Sequence, residues 1–260
     1  MKKSQIGAQL YTIKDFCQTA EDFDKSMAKI KAIGYTSVQL SGIGPIPPAT
    51  VMSILGKYGL SVCATHIPYD RFINDLDGVI ADHKVYKCRH AGLGVMPDKY
   101  LESREGILEF CGIADEIARK LNDAGLRFMY HNHTIEFLRH EDGKTTMDLL
   151  LENTGDTFDF ELDTCWVASG GADNAQWIRK LKGRTAVLHL KDLYIKRTGS
   201  LWETEQDMCE IGAGNINFDS IIEAGDEVGM EWFVVEQDHW DRDPFDCLKL
   251  SFDNLQRLVK

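Results

Sequence analysis

Apolar residues along this chain fall into short runs and helical stripes that alternate from one end to the other. The run from Gln5 to Leu10 reads as a first strand. A helix then opens on Thr19-x-x-Asp22, carries Phe23, Met27 and Ile30 on one face, and stops at Gly34. Ser37 to Leu40 is a second strand, followed by a helix over Pro48 to Tyr58 with Gly59 as its cap. Ser61 to Thr65, a helix over Asp75 to Tyr86, and His90 to Val95 continue the alternation. The clearest helix places Ile107, Phe110, Cys111, Ala114, Ile117, Ala118 and Leu121 at helical spacing before Gly125. In the second half, four runs end in polar residues: Leu126 to His133, Phe158 to Asp163, Ala186 to Asp192 and Trp232 to Asp238. Between them lie helices at Met147 to Glu152, Asp173 to Leu181, and one marked by Phe218, Ile221, Ile222 and Val228 before Gly229. The last helix starts at Asp243-Pro244 and shows Phe245, Leu248, Phe252, Leu255 and Leu258.

Eight β-α units in 260 residues match the size of a (β/α)8 TIM barrel, and no linker or composition shift divides the chain. The expectation is an α/β fold with one domain over 1–260. A doubly wound open sheet would need fewer strands or a second domain. In a closed parallel barrel all strand ends open into one mouth, so residues at the ends of distant runs converge there.

Formal net charge is -12, a sign that repels phosphate backbones and disfavours nucleic acid as a partner. Seven cysteines form an odd set without a C-x-x-C pair and mostly sit in apolar patterns, which points to a reducing, cytoplasmic setting. The start, Met-Lys-Lys-Ser-Gln, lacks the apolar stretch of a signal peptide. No run approaches the apolar length that spans a membrane.

His131, Asp163, His189 and Glu236 end four successive strands. One such histidine is commonly a satisfied core residue. Four ionisable groups converging on one mouth need a shared counter-ion, because unpaired buried carboxylates cost several kcal/mol. One divalent metal ion (Mn, Mg, Zn or Co) fits mixed nitrogen and oxygen donors, which do not choose among these metals. Lys191 reads equally as a substrate contact or as a rim ion pair with Asp163 or Asp192. His66 ends strand three, and Asn132 and His133 sit where they could fix ligand orientation. Tyr11, Phe72, Trp166, Trp202, His239 and Trp240 follow strands on the mouth side, where packing against the apolar face of a ligand and ordinary loop anchoring explain them equally well. Gly212-Ala213-Gly214 before a helix offers backbone N–H groups to a phosphate, with a tight turn as the plainer reading. Cys165 has no base partner and reads as structural.

The segments Gly7-Ala8-Gln9-Leu10-Tyr11-Thr12, Tyr130-His131-Asn132-His133-x-x-Glu136-Phe137, Leu162-Asp163-x-x-Trp166-Val167, His189-Leu190-Lys191-Asp192, Gly212-Ala213-Gly214 and Val235-Glu236-Gln237-Asp238 resemble the sugar phosphate isomerase/epimerase family. That family belongs to the xylose-isomerase-like TIM-barrel superfamily, and the resemblance runs in order along nearly the whole chain. It implies a metal held by Asp163, His189 and Glu236. The fourth position departs from the pattern, since His131 stands where many relatives have glutamate. Either His131 takes over as ligand or Glu136 reaches back to the metal. Gln39 likewise replaces a glutamate frequent in relatives.

The resemblance implies an isomerase or epimerase that moves a proton next to a carbonyl of a sugar, keto sugar or polyol through an enediolate. Glu136, Glu236 and His133 are the expected proton carriers, and His66, Tyr11, Trp166, Lys191 and Asn132 the expected substrate contacts. A lyase or dehydratase shares the same intermediate. A non-catalytic sugar-binding barrel and an endonuclease IV-like nuclease are further alternatives. Oligomeric state is not readable, although barrels of this kind frequently form homodimers.

Overall fold

The fold was analysed in a computed structural model that describes residues 1–259. Eight parallel strands close into a barrel: β1 (Ile6–Gln9), β2 (Ser37–Leu40), β3 (Ser61–His66), β4 (His90–Leu93), β5 (Arg127–His131), β6 (Phe158–Asp163), β7 (Thr185–Leu190) and, after an inserted hairpin, the eighth, Trp232–Val235. The seam closes where Ile6, Gly7 and Ala8 pair with Phe233, Val234 and Val235. This is the expected (β/α)8 barrel, with helices surrounding the strands.

Alternation along each strand divides the side chains between two cores. Phe128, Tyr130, Phe158 and Phe160 face the helices and pack edge-to-face or tilted on one another. Their neighbours Met129, His131, Glu161 and Asp163 face the barrel axis. A small apolar cluster of Cys63, Ala64, Met129, Val187 and Val234 fills the interior below the polar residues. The outer core is far larger. Helix Arg104–Asp123 alone buries the seven residues its periodicity marked, of which Ile107, Phe110, Ile117 and Leu121 each contribute about 1.5–3 kcal/mol before chain entropy is subtracted.

Several elements escaped the sequence pattern. Short helices at Tyr69–Asn74, Asp98–Leu101 and Thr164–Ser169 sit in loops after barrel strands. Chain between the seventh barrel strand and helix Phe218–Val228 forms an antiparallel hairpin, β8 (Asp192–Arg197) with β9 (Thr204–Cys209), and the eighth barrel strand is therefore β10. Most hairpin residues are exposed or half-buried, so no apolar alternation announces it. No helix among the described residues is long and apolar enough to cross a membrane.

His83 ties a helix to the barrel wall. It is buried on helix Leu76–Tyr86, with Nδ1 2.8 Å from the Val79 carbonyl and Nε2 2.9 Å from the Thr65 hydroxyl. The carbonyl requires Nδ1–H, so Nε2 accepts from Thr65 and the ring is neutral. Burial holds its pKa below the usual 6.5. The unfolded chain therefore binds a proton that the folded chain does not. Stability from this site is fully present above the unfolded value and is lost as pH falls through the folded one. We predict that the melting temperature declines from pH 7 to pH 5, and that His83→Gln flattens the decline while costing about 1–3 kcal/mol. An unchanged slope in the variant would remove His83 from this role.

Candidate metal centre

Four strand ends deliver the expected residues to one place. His131, Asp163, His189 and Glu236 are all buried, and one donor atom from each lies within 4.8 Å of all the others. His131 Nε2 is 3.3 Å from Asp163 Oδ2, and His189 Nδ1 is 2.9 Å from Glu236 Oε2. Glu236 follows β10 directly, its amide donating to the Leu190 carbonyl at 3.1 Å.

In His131, His189 and Asp163 the remaining polar atoms are engaged in a way that turns one donor toward the centre. His131 Nδ1 lies 3.2 Å from the Gly94 carbonyl, which fixes the proton there and leaves Nε2 as a lone pair. His189 Nε2 lies 2.8 Å from Gln39 Oε1 and 3.1 Å from Glu161 Oε1, which leaves Nδ1 to face Glu236. Asp163 caps helix Thr164–Ser169: its Oδ1 accepts from the amides of Cys165 and Trp166 at 2.9 and 3.0 Å. Only Oδ2 remains for the centre. His189 Nδ1 and Glu236 Oε2 are buried and face one another, and Glu236 Oε2 also meets Lys191 Nζ at 2.9 Å. Two imidazoles and two carboxylates with donor atoms this close fit a dication.

The second cation is already in place. Lys191, only 1% exposed, puts Nζ 3.0 Å from Asp163 Oδ2, 2.9 Å from Glu236 Oε2 and 2.7 Å from Asp238 Oδ2. Burial alone would raise the pKa of Asp163 and of Glu236, but Lys191 and the neighbouring imidazoles together outweigh it and hold both below the usual carboxylate range. Asp238, more influenced by burial and by Glu236 than by Lys191, is pushed up to about 6. Burial opposes charging of His189, yet Glu161 and Glu236 hold its imidazolium up to about 10. A metal ion would have to displace that proton to use Nδ1. Of the two readings for Lys191, the ion pair with Asp163 is the one seen. Asp192 takes no part, because backbone amides hold its carboxylate.

Glu161 went unnoticed in the sequence. It lies two residues before Asp163 on β6 and so faces the same interior. It is fully buried, with Oε2 2.5 Å from His66 Nε2 and Oε1 near His189. That i, i+2 spacing within an apolar run was the available signal. His66 lies in a cradle of glycines: a Cβ on Gly92 or Gly94 would come within 3.0 Å of its ring.

Other expected residues divide. Tyr11, His66, His133, Trp166, Lys191 and Glu236 line a cavity of about 880 Å³ above the cluster. Burial, with His131 adding to it, lowers the pKa of His133 to about 3, so this ring is neutral. Glu136 neither reaches the cluster nor faces the cavity. Tyr130 Oη donates to its Oε1 at 2.5 Å and the His133 amide to its Oε2 at 2.7 Å. The five residues beyond the end of β5 are spent closing a turn, and Glu136 stands apart from the four-residue cluster. Asn132 is also turned away, its Oδ1 accepting the Asp163 amide at 3.0 Å, so it supports a ligand rather than touching substrate. Among the mouth aromatics, Phe72 is buried against Phe128, Trp202 is 88% exposed on the hairpin tip, and Trp240 lines a separate cavity.

No family model matches the chain, and neither does any curated protein. Solved structures do. A sugar phosphate isomerase/epimerase from Parabacteroides distasonis is 23% identical, with a TM-score of 0.82 over 98% of this chain and 99% of that one. An L-ribulose 3-epimerase is 15% identical, with a TM-score of 0.74 over 98% and 94%. A probable 3-DHS dehydratase from Bacillus anthracis is 13% identical, with a TM-score of 0.74 over 98% and 99%. The chain thus shares, end to end, the barrel of proteins that carry the name its motifs resemble.

If the outer partners fix the ligands, Gln39→Leu lowers affinity for Mn2+ or Co2+ by about 10–100-fold. Glu136→Gln leaves it unchanged. Equilibrium dialysis of both variants checks this, and loss of metal from Glu136→Gln alone would contradict the assignment.

Proposed function

We propose that this chain is a divalent-metal-dependent isomerase or epimerase acting on a sugar, keto sugar or polyol derivative through an enediolate. The observation that carries the reading is the buried four-donor cluster at the floor of a cavity sized for a small molecule. A dication held by His131, Asp163, His189 and Glu236 would supply Lewis-acid polarisation of neighbouring carbonyl and hydroxyl oxygens.

The chain's own residues supply binding and proton transfer. Glu236, ionised beside Lys191, is the carboxylate that takes the proton from the carbon next to the carbonyl. His66 is the second carrier: Glu161 fixes Nε2 inside the barrel, and Nδ1 lies toward Ser41 at the cavity wall, 3.4 Å away. A carboxylate that orients an imidazole is the arrangement of general acid–base pairs. His133, neutral, hydrogen-bonds a substrate hydroxyl, while Tyr11 and Trp166 cover the apolar face of the sugar. Proton return to the opposite face gives epimerisation, and return to the neighbouring carbon gives isomerisation.

A dehydratase is the second reading, because loss of a β-leaving group starts from the same deprotonated substrate, and one similar structure is described as a probable dehydratase. The net charge of -12 disfavours a nuclease. A reducing cytoplasmic setting suits seven cysteines, all of them free.

Metal-loaded protein incubated with keto sugars in heavy water should incorporate deuterium next to the carbonyl. His66→Asn should slow that exchange by about 100-fold while bound metal stays near one equivalent. Exchange with no keto sugar at all would contradict the proposal.

A further inference from the structure

We infer that the substrate is an uncharged polyhydroxy compound, neither phosphorylated nor carboxylated, an inference that rests on the function proposed above. The ground is that the cationic side chains lining the cavity and the backbone nest beside the mouth, Lys14 apart, are engaged by the chain's own carboxylates.

A phosphate needs arginines, lysines or a nest of backbone N–H groups. Gly212-Ala213-Gly214 has the form of such a nest, and the structure fills it from within. Asp192 Oδ2 accepts from the amides of Gly212 and Gly214 at 2.9 and 3.0 Å. Its Oδ1 accepts from Leu193 and Ile216 at 2.8 and 3.2 Å. The fit is close: a Cβ on Gly214 would fall 2.4 Å from Asp192 Oδ1 and 2.3 Å from the Leu193 carbonyl. Asp192 is fully buried, so an incoming anion finds neither the amides nor the space.

The cavity itself is no better equipped. No arginine lines it. Lys191 has three N–H donors and three carboxylate partners within 3.0 Å, so no donor is spare. His239, at the rim, faces Asp207 at 3.5 Å. Lys14 is the exception, and its ammonium sits 3.8 Å over the Tyr11 ring. Against it stand Glu236 and Asp238, whose carboxylates line the cavity. Carboxylates accept hydrogen bonds from sugar hydroxyls and repel phosphate, so the same groups select for one and against the other. A single lysine held over an aromatic ring suits a hydroxyl and is a poor phosphate site.

The test uses Mn2+-loaded protein and matched pairs: free ketopentoses and ketohexoses against their terminal phosphate esters, with inorganic phosphate as a competitor. Deuterium exchange should favour the free sugar of a pair by about 100-fold in kcat/KM. Millimolar inorganic phosphate should leave the exchange unchanged. A preference for the ester, or competition by phosphate that Lys14→Met abolishes, would overturn the inference. Calorimetric titration of the same pairs separates this result from failure of the proposed reaction. Tighter binding of the free sugar without exchange upholds the uncharged substrate and defeats only the proton transfer. Binding of neither series defeats both.

Discussion

One buried ammonium determines what the mouth of this barrel can be. Asp163, Glu236 and Asp238 come from the ends of two strands that flank β7 and crowd together, the first two fully buried and Asp238 half-buried. Their mutual repulsion and desolvation would cost several kcal/mol without a cation among them. Lys191 supplies that cation from the residue after β7, in contact with all three. With one positive charge permanently installed, the two carboxylates nearest the histidines stay ionised and keep lone pairs for a second cation. Removing the lysine would leave a cluster that protonates rather than binds.

The histidines obey the same logic from the other side. An imidazole ligates through one nitrogen only if the other is held, and here a backbone carbonyl holds His131 while Gln39 and Glu161 hold His189. Gln39 and Glu161 meet the same nitrogen of His189, so a neutral amide and a carboxylate share that contact. Glu161 then serves two rings at once, His189 toward the metal centre and His66 toward the cavity. The floor of the barrel is thus one connected polar network resting on a small apolar plug.

Much of this was legible in the chain. Period-two and helical patterns locate all eight barrel strands and the long helices, because burying one face leaves that signature. The four strand-end residues were also visible, since a charged or imidazole group closing an apolar run is costly unless it has a purpose. What remained hidden has physical reasons. The β8–β9 hairpin buries too little to alternate. Glu136 looked near enough to serve, but a short 3-10 turn points its carboxylate back at Tyr130 and the His133 amide. Lys191 was placed on the correct side of the barrel, yet its third partner, Asp238, comes from a strand remote in sequence. The Gly212–Gly214 turn looked open because its occupant, Asp192, lies far back along the chain.

The position of the metal at the mouth is tested most directly by anomalous diffraction from crystals grown with Mn2+ or Co2+. One peak is expected, bonded at about 2.0–2.2 Å to His131 Nε2, Asp163 Oδ2, His189 Nδ1 and Glu236 Oε2, with Lys191 still against both carboxylates. A peak among His66, Glu161 and His189 instead, the other buried group able to hold an ion, or no peak at all, would contradict it.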